Sequence, residues 1–448
     1  MANDLRDEAL ALAMLAVEAA IDSGATAAEA TLSIADRFSA EVRDTRLTKL
    51  EQSRSRALSL RTFVGQRRAS MSTTDLTPDG VRALAGRIVA AAAFVAEDPH
   101  AGLPESVATI VDDPSLRLAS SDVATREAQA KIDDALGLER AIRDIDARID
   151  NSQGSRAADS RATLALANSL GFRGAYATTS VARSTAPIAR DGSDKRIGHY
   201  GSAARGYADV ESVDVIAFAA AKRALELCGA RKPHTMNVPV IFERDVAASV
   251  LGDLVSALSA ANIAVGNSYL TDSIGERIGS DLVTIVDDGR LPGGLGTSPF
   301  DSEGTPTRRT VVFERGKLET FLYDTYYARR LGAKSTANAA GGGIGVNNFY
   351  LEPGAQSLEE LIASTKRGVL VLDTIGFATE YASGTYSRGA RGLWIENGEI
   401  AYPIDEFTIA SNFKTMLAGI DAVASDLRFD SSVVSPSFRV AEMTISGN

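Results

Sequence analysis

Residues 384–413, GTYSRGARGLWIENGEIAYPIDEFTIASNF, decide how this chain is read. Gly392, Leu393, Trp394 and Ile395 form one β-prone run, and Ile400, Ala401 and Tyr402 form another. Between them Glu396-Asn397-Gly398-Glu399 carries Asn-Gly, the strongest short-range hairpin signal, so two antiparallel strands joined by a tight turn are predicted. Pro403 has no amide hydrogen to give a ladder and is restricted to a sheet edge or a strand end. Phe407, Ile409 and Phe413 then resume the apolar pattern. Trp394, the one tryptophan of the chain, is expected to anchor the core here. Ahead of the hairpin, in Ser387-Arg388-Gly389-Ala390-Arg391-Gly392, two glycines bracket small and cationic residues. That composition lets a backbone come close to another chain or to a ligand.

The remainder has the composition of an ordinary globular protein: 448 residues, 45% hydrophobic and 23% charged, with room for about two or three domains. The formal net charge is −11 and the isoelectric point about 5.0, so the surface repels a phosphate backbone unless cations cluster. Arg67-Arg68, Arg308-Arg309 and Arg329-Arg330 are isolated pairs, and direct nucleic-acid binding is not expected. A single cysteine, Cys228, excludes an intramolecular disulfide and fits a reducing compartment. It lies near the end of an apolar helix and is read as a buried, inert thiol. The N-terminus lacks a basic region followed by an apolar core. The longest apolar runs, 9–17 and 88–96, are about half of what a bilayer crossing needs. A cytoplasmic protein without a membrane segment is expected.

In chain order, residues 5–23 read as a helix ending at Gly24. Alternating runs at 30–34, 39–43 and 57–64 read as a meander with a turn at Gly65-Gln66. Thr77 caps and Pro78 starts a helix running to Val95. Residues 120–149 read as helical, with Gly137 as a point of division. A long antiparallel pattern follows at 163–166, 174–186 and 196–205, then an apolar helix at 214–227. Composition changes abruptly at 229–233, where Pro233 bars a helix, and this sets the boundary between domains 1–230 and 231–448. The second region opens with strand 238–242 and helix 245–261. Val246, Val250, Leu251, Leu254, Val255 and Leu258 form an apolar stripe on that helix. Strands at 282–286, 309–313, 317–323 and 369–375 and helices at 325–331 and 357–363 complete it. The fold class is α+β: an N-terminal α+β domain with an antiparallel sheet, and a C-terminal, mainly antiparallel β domain with a few helices.

Catalytic signatures are sparse. A zinc hydrolase needs paired imidazoles and a carboxylate on one helix, whereas His100, His199 and His234 are far apart. Ser387 lacks the first glycine of a nucleophile elbow, and Ser411-Asn412-Phe413-Lys414 lacks the companion motifs of Ser-x-x-Lys enzymes. The glycines at 339–345 do not have phosphate-loop spacing. Asp287, Asp288, Asp301 and Glu303 could bind a hard cation, or serve turn chemistry in Asp-Asp-Gly and Asp-x-Glu-Gly.

The stretch from Tyr386 to Asn412, with Tyr-Ser-Arg-Gly-Ala, Trp-Ile-Glu-Asn-Gly-Glu-Ile, Tyr-Pro and Thr-Ile-Ala, resembles the C-terminal signature of the TldD/PmbA family, the modulators of DNA gyrase. The similarity continues through TIVDD at 284–288, FDSEGTPT at 300–307, FERGKL at 313–318, DTYYAR at 324–329 and YLEPG at 350–354. The first half matches only in its order of elements. The resemblance implies two branches: in TldD a helix carries His-Glu-x-x-x-His and binds the metal of a peptidase, and in PmbA, also called TldE, that motif is lost. Here a gap-free register puts Gly252, Asp253 and Ala257 at the His, Glu and His positions, and residues 430–437 contain no cysteine ligand.

The chain thus resembles PmbA/TldE, a non-catalytic subunit that forms a heterodimer with a TldD-type peptidase and helps enclose its channel. Catalytic and metal residues are expected to be none on this chain, with zinc on the TldD-type partner and extended or unfolded peptides as substrate. Ser387, Arg388, Gly389 and Arg391 are the expected substrate-binding residues, offering a sheet edge or loop for β-augmentation. Two segments depart from the family form, 335–345 and 376–381, and both fall in expected substrate-facing loops. Rival readings are a stand-alone homodimeric peptide-binding or scaffold protein, and a metallopeptidase with its own loop-built site.

Overall fold

The computed structural model describes residues 2–105, 113–376 and 379–447. The fold is α+β. Helix α1 (Ala2–Asp22) leads into strands β1 (Ala27–Arg43), β2 (Arg46–Val64) and β3 (Arg67–Thr73) and helices α2 (Pro78–Ala92), α3 (Asp122–Thr125) and α4 (Ala128–Ile145). Strands β4 (Ile149–Asn168), β5 (Arg173–Asp191), β6 (Asp194–Ile197) and β7 (Tyr200–Ala204) follow, then helix α5 (Val213–Glu226). These strands form one antiparallel sheet in the order β3-β2-β1-β4-β5-β6, with β7 also on β5.

The sequence shows short apolar runs here, but the structure has strands of 17 and 19 residues. β1 and β2 stay paired from Ala27 opposite Phe63 to Arg43 opposite Arg46, around a turn in which Asp44 and Thr45 take φ of 50° and 56°. No glycine marks that turn, and the polar outer residues hide the strand. Leu32, Ile34, Leu58 and Leu60 point from the sheet to α1 and α2, and Phe38, Ala40 and Val42 to α4. Gly137 does not divide α4. A Cβ there would lie 3.4 Å from Val213, so the glycine sits where α4 meets the start of α5. Thr77 does cap α2, accepting from Gly80 N.

The second half comprises β8 (Met236–Phe242), α6 (Arg244–Leu258), α7 (Ala260–Ala264), β9 (Ile285–Asp288), β10 (Arg309–Glu314), β11 (Lys317–Leu318) and α8 (Thr325–Leu331). After them come β12 (Ala339–Ala340), β13 (Gly343–Ile344), β14 (Phe349–Leu351), α9 (Leu358–Ala363), β15 (Arg367–Ile375), β16 (Thr379–Glu380), β17 (Thr385–Glu396) and β18 (Glu399–Asn412). The chain ends with α10 (Phe413–Gly419), β19 (Ile420–Val423), β20 (Val433–Val434) and β21 (Phe438–Ser446). Strands β15-β8-β21-β18-β17 close on themselves, because β17 also pairs with β15. The predicted helix 245–261 breaks at Ser259, whose backbone is extended, and Ala260 N instead donates to Leu322 O.

The hairpin forms as the sequence indicates, with Asn397 and Gly398 at φ of 53° and 81°. Pro403 lies where β18 has not yet met β21, which pairs with it only at 408–410, and its carbonyl accepts from Arg231 N. Trp394 is buried and stacks on Tyr402. Cys228, read as buried, is half-buried at the end of α5. Among the described residues no helix is long and apolar enough to cross a membrane.

Candidate functional site

Glu243 caps α6, its carboxylate accepting from Asp245 N at 3.0 Å. Val246, Val250, Leu251, Leu254 and Ala257 of the helix are buried in the C-terminal core. Asp245, Ser249 and Asp253, spaced four apart, share the other face. Arg388 of β17 reaches this face: its Nη2 lies 2.5 Å from Asp253 Oδ2, and its Nη1 donates to Ser249 Oγ at 3.1 Å. Thr379 Oγ1 donates to the same carboxylate oxygen at 2.9 Å. Burial raises the Asp253 carboxyl above its usual range, with the Arg388 guanidinium pulling the other way. The hydroxyls of Tyr269 and Tyr386 are buried beside this pair without a hydrogen-bond partner.

The residues aligned with a metal motif therefore do not fit a zinc site. Gly252 has no side chain, Asp253 is held by a guanidinium, and Ala257 is fully buried. Among the described residues no three His, Cys, Asp or Glu side chains are placed to hold an ion. His100 packs edge-on against Tyr326, and His199 lines a cleft, where burial lowers its imidazole pKa.

Ser387, Arg388, Gly389 and Arg391 lie inside β17, not in a loop. Ser387 faces Ala410 and Gly389 faces Thr408 on β18, while Gly389 and Arg391 also face Ile375 and Asp373 on β15. The close approach signalled by the glycines is to the chain's own backbone: a Cβ on Gly392 would stand 2.1 Å from Leu370 O. Arg388 and Arg391 do come together, on a cleft of about 790 Å³ between the two halves that Arg183, His199, Arg223 and Arg428 also line. Arg391 lies 3.3 Å from Asp405 and 3.6 Å from Asp373. No motif in the sequence points to Ser249, Asp373 or Asp405. Thr379 falls in the departing segment 376–381, of which Phe377 and Ala378 lie outside the described residues.

The loop carboxylates are occupied by N–H donors. Asp287 accepts from Asn338 Nδ2, Asn347 N and Asn347 Nδ2 at 2.7–2.8 Å. Asp301 accepts from the backbone of Glu303, Thr305 and Ala339. Asp288 accepts from Arg290 N, and Glu303 from Thr325 N. Asn338 belongs to the other departing segment, 335–345, which serves as a brace for Asp287.

The face of the N-terminal sheet away from its helices mixes small residues with charged ones, among them Arg37, Glu51 and Arg156. Ser39, Ser53, Ala158, Ser160, Ser180 and Ala182 line an open cleft of about 670 Å³ there, and Ala182 also borders the arginine-lined one.

Three family models cover most of the chain: the PmbA/TldA metallopeptidase domain 1 at 28–92, central domain at 122–227 and C-terminal domain at 235–447. The metalloprotease PmbA of Escherichia coli O157:H7 is 31% identical over 421 residues, 94% of this chain and 92% of that one. A crystal structure of a putative modulator of DNA gyrase from Bacteroides thetaiotaomicron superposes with a TM-score of 0.92 at 27% identity, covering 99% of both chains. TldE from Thermococcus kodakarensis shares the fold, with a TM-score of 0.89 at 21% identity over 96% of this chain and 99% of that one. With a PmbA relative matched along nearly its whole length and each of the three domain models in order, the chain belongs to the TldD/PmbA family.

Proposed function

We propose that this chain is a PmbA/TldE-type subunit that carries no metal of its own and works in the cytoplasm with a zinc-bearing TldD-type partner to process extended peptides. The observation that carries this reading is the Asp253–Arg388 pair, in which the residue at the glutamate position of the peptidase motif is taken up by a guanidinium. A guanidinium there supplies the positive charge, and a carboxylate committed to it is not free to activate water. The open cleft on the N-terminal sheet supports the peptide part, because it adjoins the arginine-lined cleft at Ala182 and the two give an extended chain room to lie. With Ser387 and Gly389 engaged in the ladder, Arg391 is the more accessible of the expected contacts.

The test is metal content and casein hydrolysis by the purified chain, alone and then mixed with a TldD-type subunit. Hydrolysis only in the mixture, with zinc only on the partner, is the expected result. Stoichiometric zinc and chelator-sensitive hydrolysis by this chain alone overturn the reading.

A further inference from the structure

Glu29 on β1, Arg61 on β2, Asp301 and Glu303 in the loop before β10, and Asp324 at the cap of α8 meet where the N-terminal sheet touches the C-terminal half. Arg61 Nη2 lies 2.6 Å from Glu29 Oε1 and its Nη1 3.5 Å from Glu303 Oε1. Glu303 Oε2 accepts from Thr325 N at 2.9 Å, and Asp324 Oδ1 from Tyr327 N at 2.7 Å. The four carboxylates are nearly out of contact with water: Glu29 is 4% exposed, Asp301 7%, Glu303 5% and Asp324 9%. Glu29 Oε2 has no hydrogen-bond partner. The charged groups that act on Glu29 are Arg61 and Glu303, and Arg68 adds a weaker pull on Asp324.

Glu29 and Glu303 share the one buried guanidinium of Arg61, and Glu29 Oε2 has no donor, so ionising both leaves a buried charge whose desolvation cost one cation does not offset. No three of the four carboxylates are arranged to hold a metal ion, and a proton on Glu29 would remove the excess charge. We propose that this junction is a proton-operated clasp, closed when a proton is bound on Glu29 and loosened when it is lost. Burial places the Glu29 carboxyl at about 7, and burial together with Glu303 places Asp301 at about 7. A carboxyl raised in this way favours the closed state most below its ordinary value of 4.5. That contribution fades as pH rises toward 7 and is gone above it. Asp301 also lines a crevice of about 320 Å³ with Tyr176 and Arg205.

The test compares thermal unfolding of the full chain and its Glu29→Gln variant from pH 4.5 to 8.5, with hydrogen exchange of the amides of β1 and α8 corrected for intrinsic rate. The variant fixes the neutral form, so its advantage over the wild type should grow between about pH 4.5 and 7 and stay level above. Over the same span the opening constant of the wild-type β1 and α8 amides should rise more than tenfold, and that of the variant should not. Parallel stability curves, a variant less stable at every pH, or pH-independent opening of these amides each overturn the proposal. Glu303→Gln, which keeps the bond to Thr325 N, provides a second reading should Glu29→Gln fold poorly.

Discussion

Two buried ion clusters of this molecule differ in one respect, the number of carboxylates per cation. Beneath α6, Asp253 meets Arg388 one to one, with Thr379 and Ser249 completing the hydrogen bonds. At the junction of the halves, three carboxylates, Glu29, Glu303 and Asp324, share Arg61. Burial raises Asp253 and Glu29 alike, but only in the second cluster does the charge count require a proton. The first therefore acts as a filled site and the second as a titrating one. Substituting each member in turn separates the two.

The largest effect is expected from Arg388→Met, which strands the Asp253 carboxylate and should cost about 3 kcal/mol in chemical denaturation, with Asp253→Asn added in the same chain recovering more than half. If the single and double variants are equally unstable, the loss comes from packing against Tyr386 and not from charge. Arg61→Met should cost about 2 kcal/mol above pH 7 and clearly less at pH 5, because the carboxylates it leaves behind can then be neutralised. Equal costs at the two pH values would place both clusters in the same class. Thr379→Val removes one hydroxyl donor from Asp253 and should cost about 1 kcal/mol by the same measurement. The smallest change in stability, below about 1 kcal/mol, is expected for Arg391→Ala, since its ion pairs are partly solvated. That variant should nonetheless slow peptide turnover by the mixed pair. Unchanged turnover removes the arginine-lined cleft from the substrate path. Arg388→Ala does not test this cleanly, because Arg388 also holds the structure together.

The hairpin at 384–413 was legible because Asn397-Gly398 can adopt the left-handed turn and the flanking β-prone runs fix two strands. The cap at Thr77 was legible for the same local reason: a hydroxyl side chain that accepts from the first turn of a helix. The long β1–β2 ribbon was not, since its turn residues Asp44 and Thr45 carry no glycine signal and its outer side chains are polar. The candidate site was half legible. Arg388 and Arg391 were picked out as cations between glycines, but their environment was misread. The glycines admit β15, a partner more than ten residues away in sequence, and nothing local reveals that.

By itself the sequence determined the α+β class, the principal hairpin, the Thr77 helix cap and the absence of paired histidines on α6, because these depend on residues close together in the chain. Only the tertiary structure decided that Asp253 is neutralised by Arg388, which is 135 positions away, and that Glu29 and Glu303 must share Arg61 across 242 positions between Arg61 and Glu303. Charge balance in a buried site is a property of which distant groups the fold brings together, and burial sets its energy. Neither can be computed from neighbours in the chain.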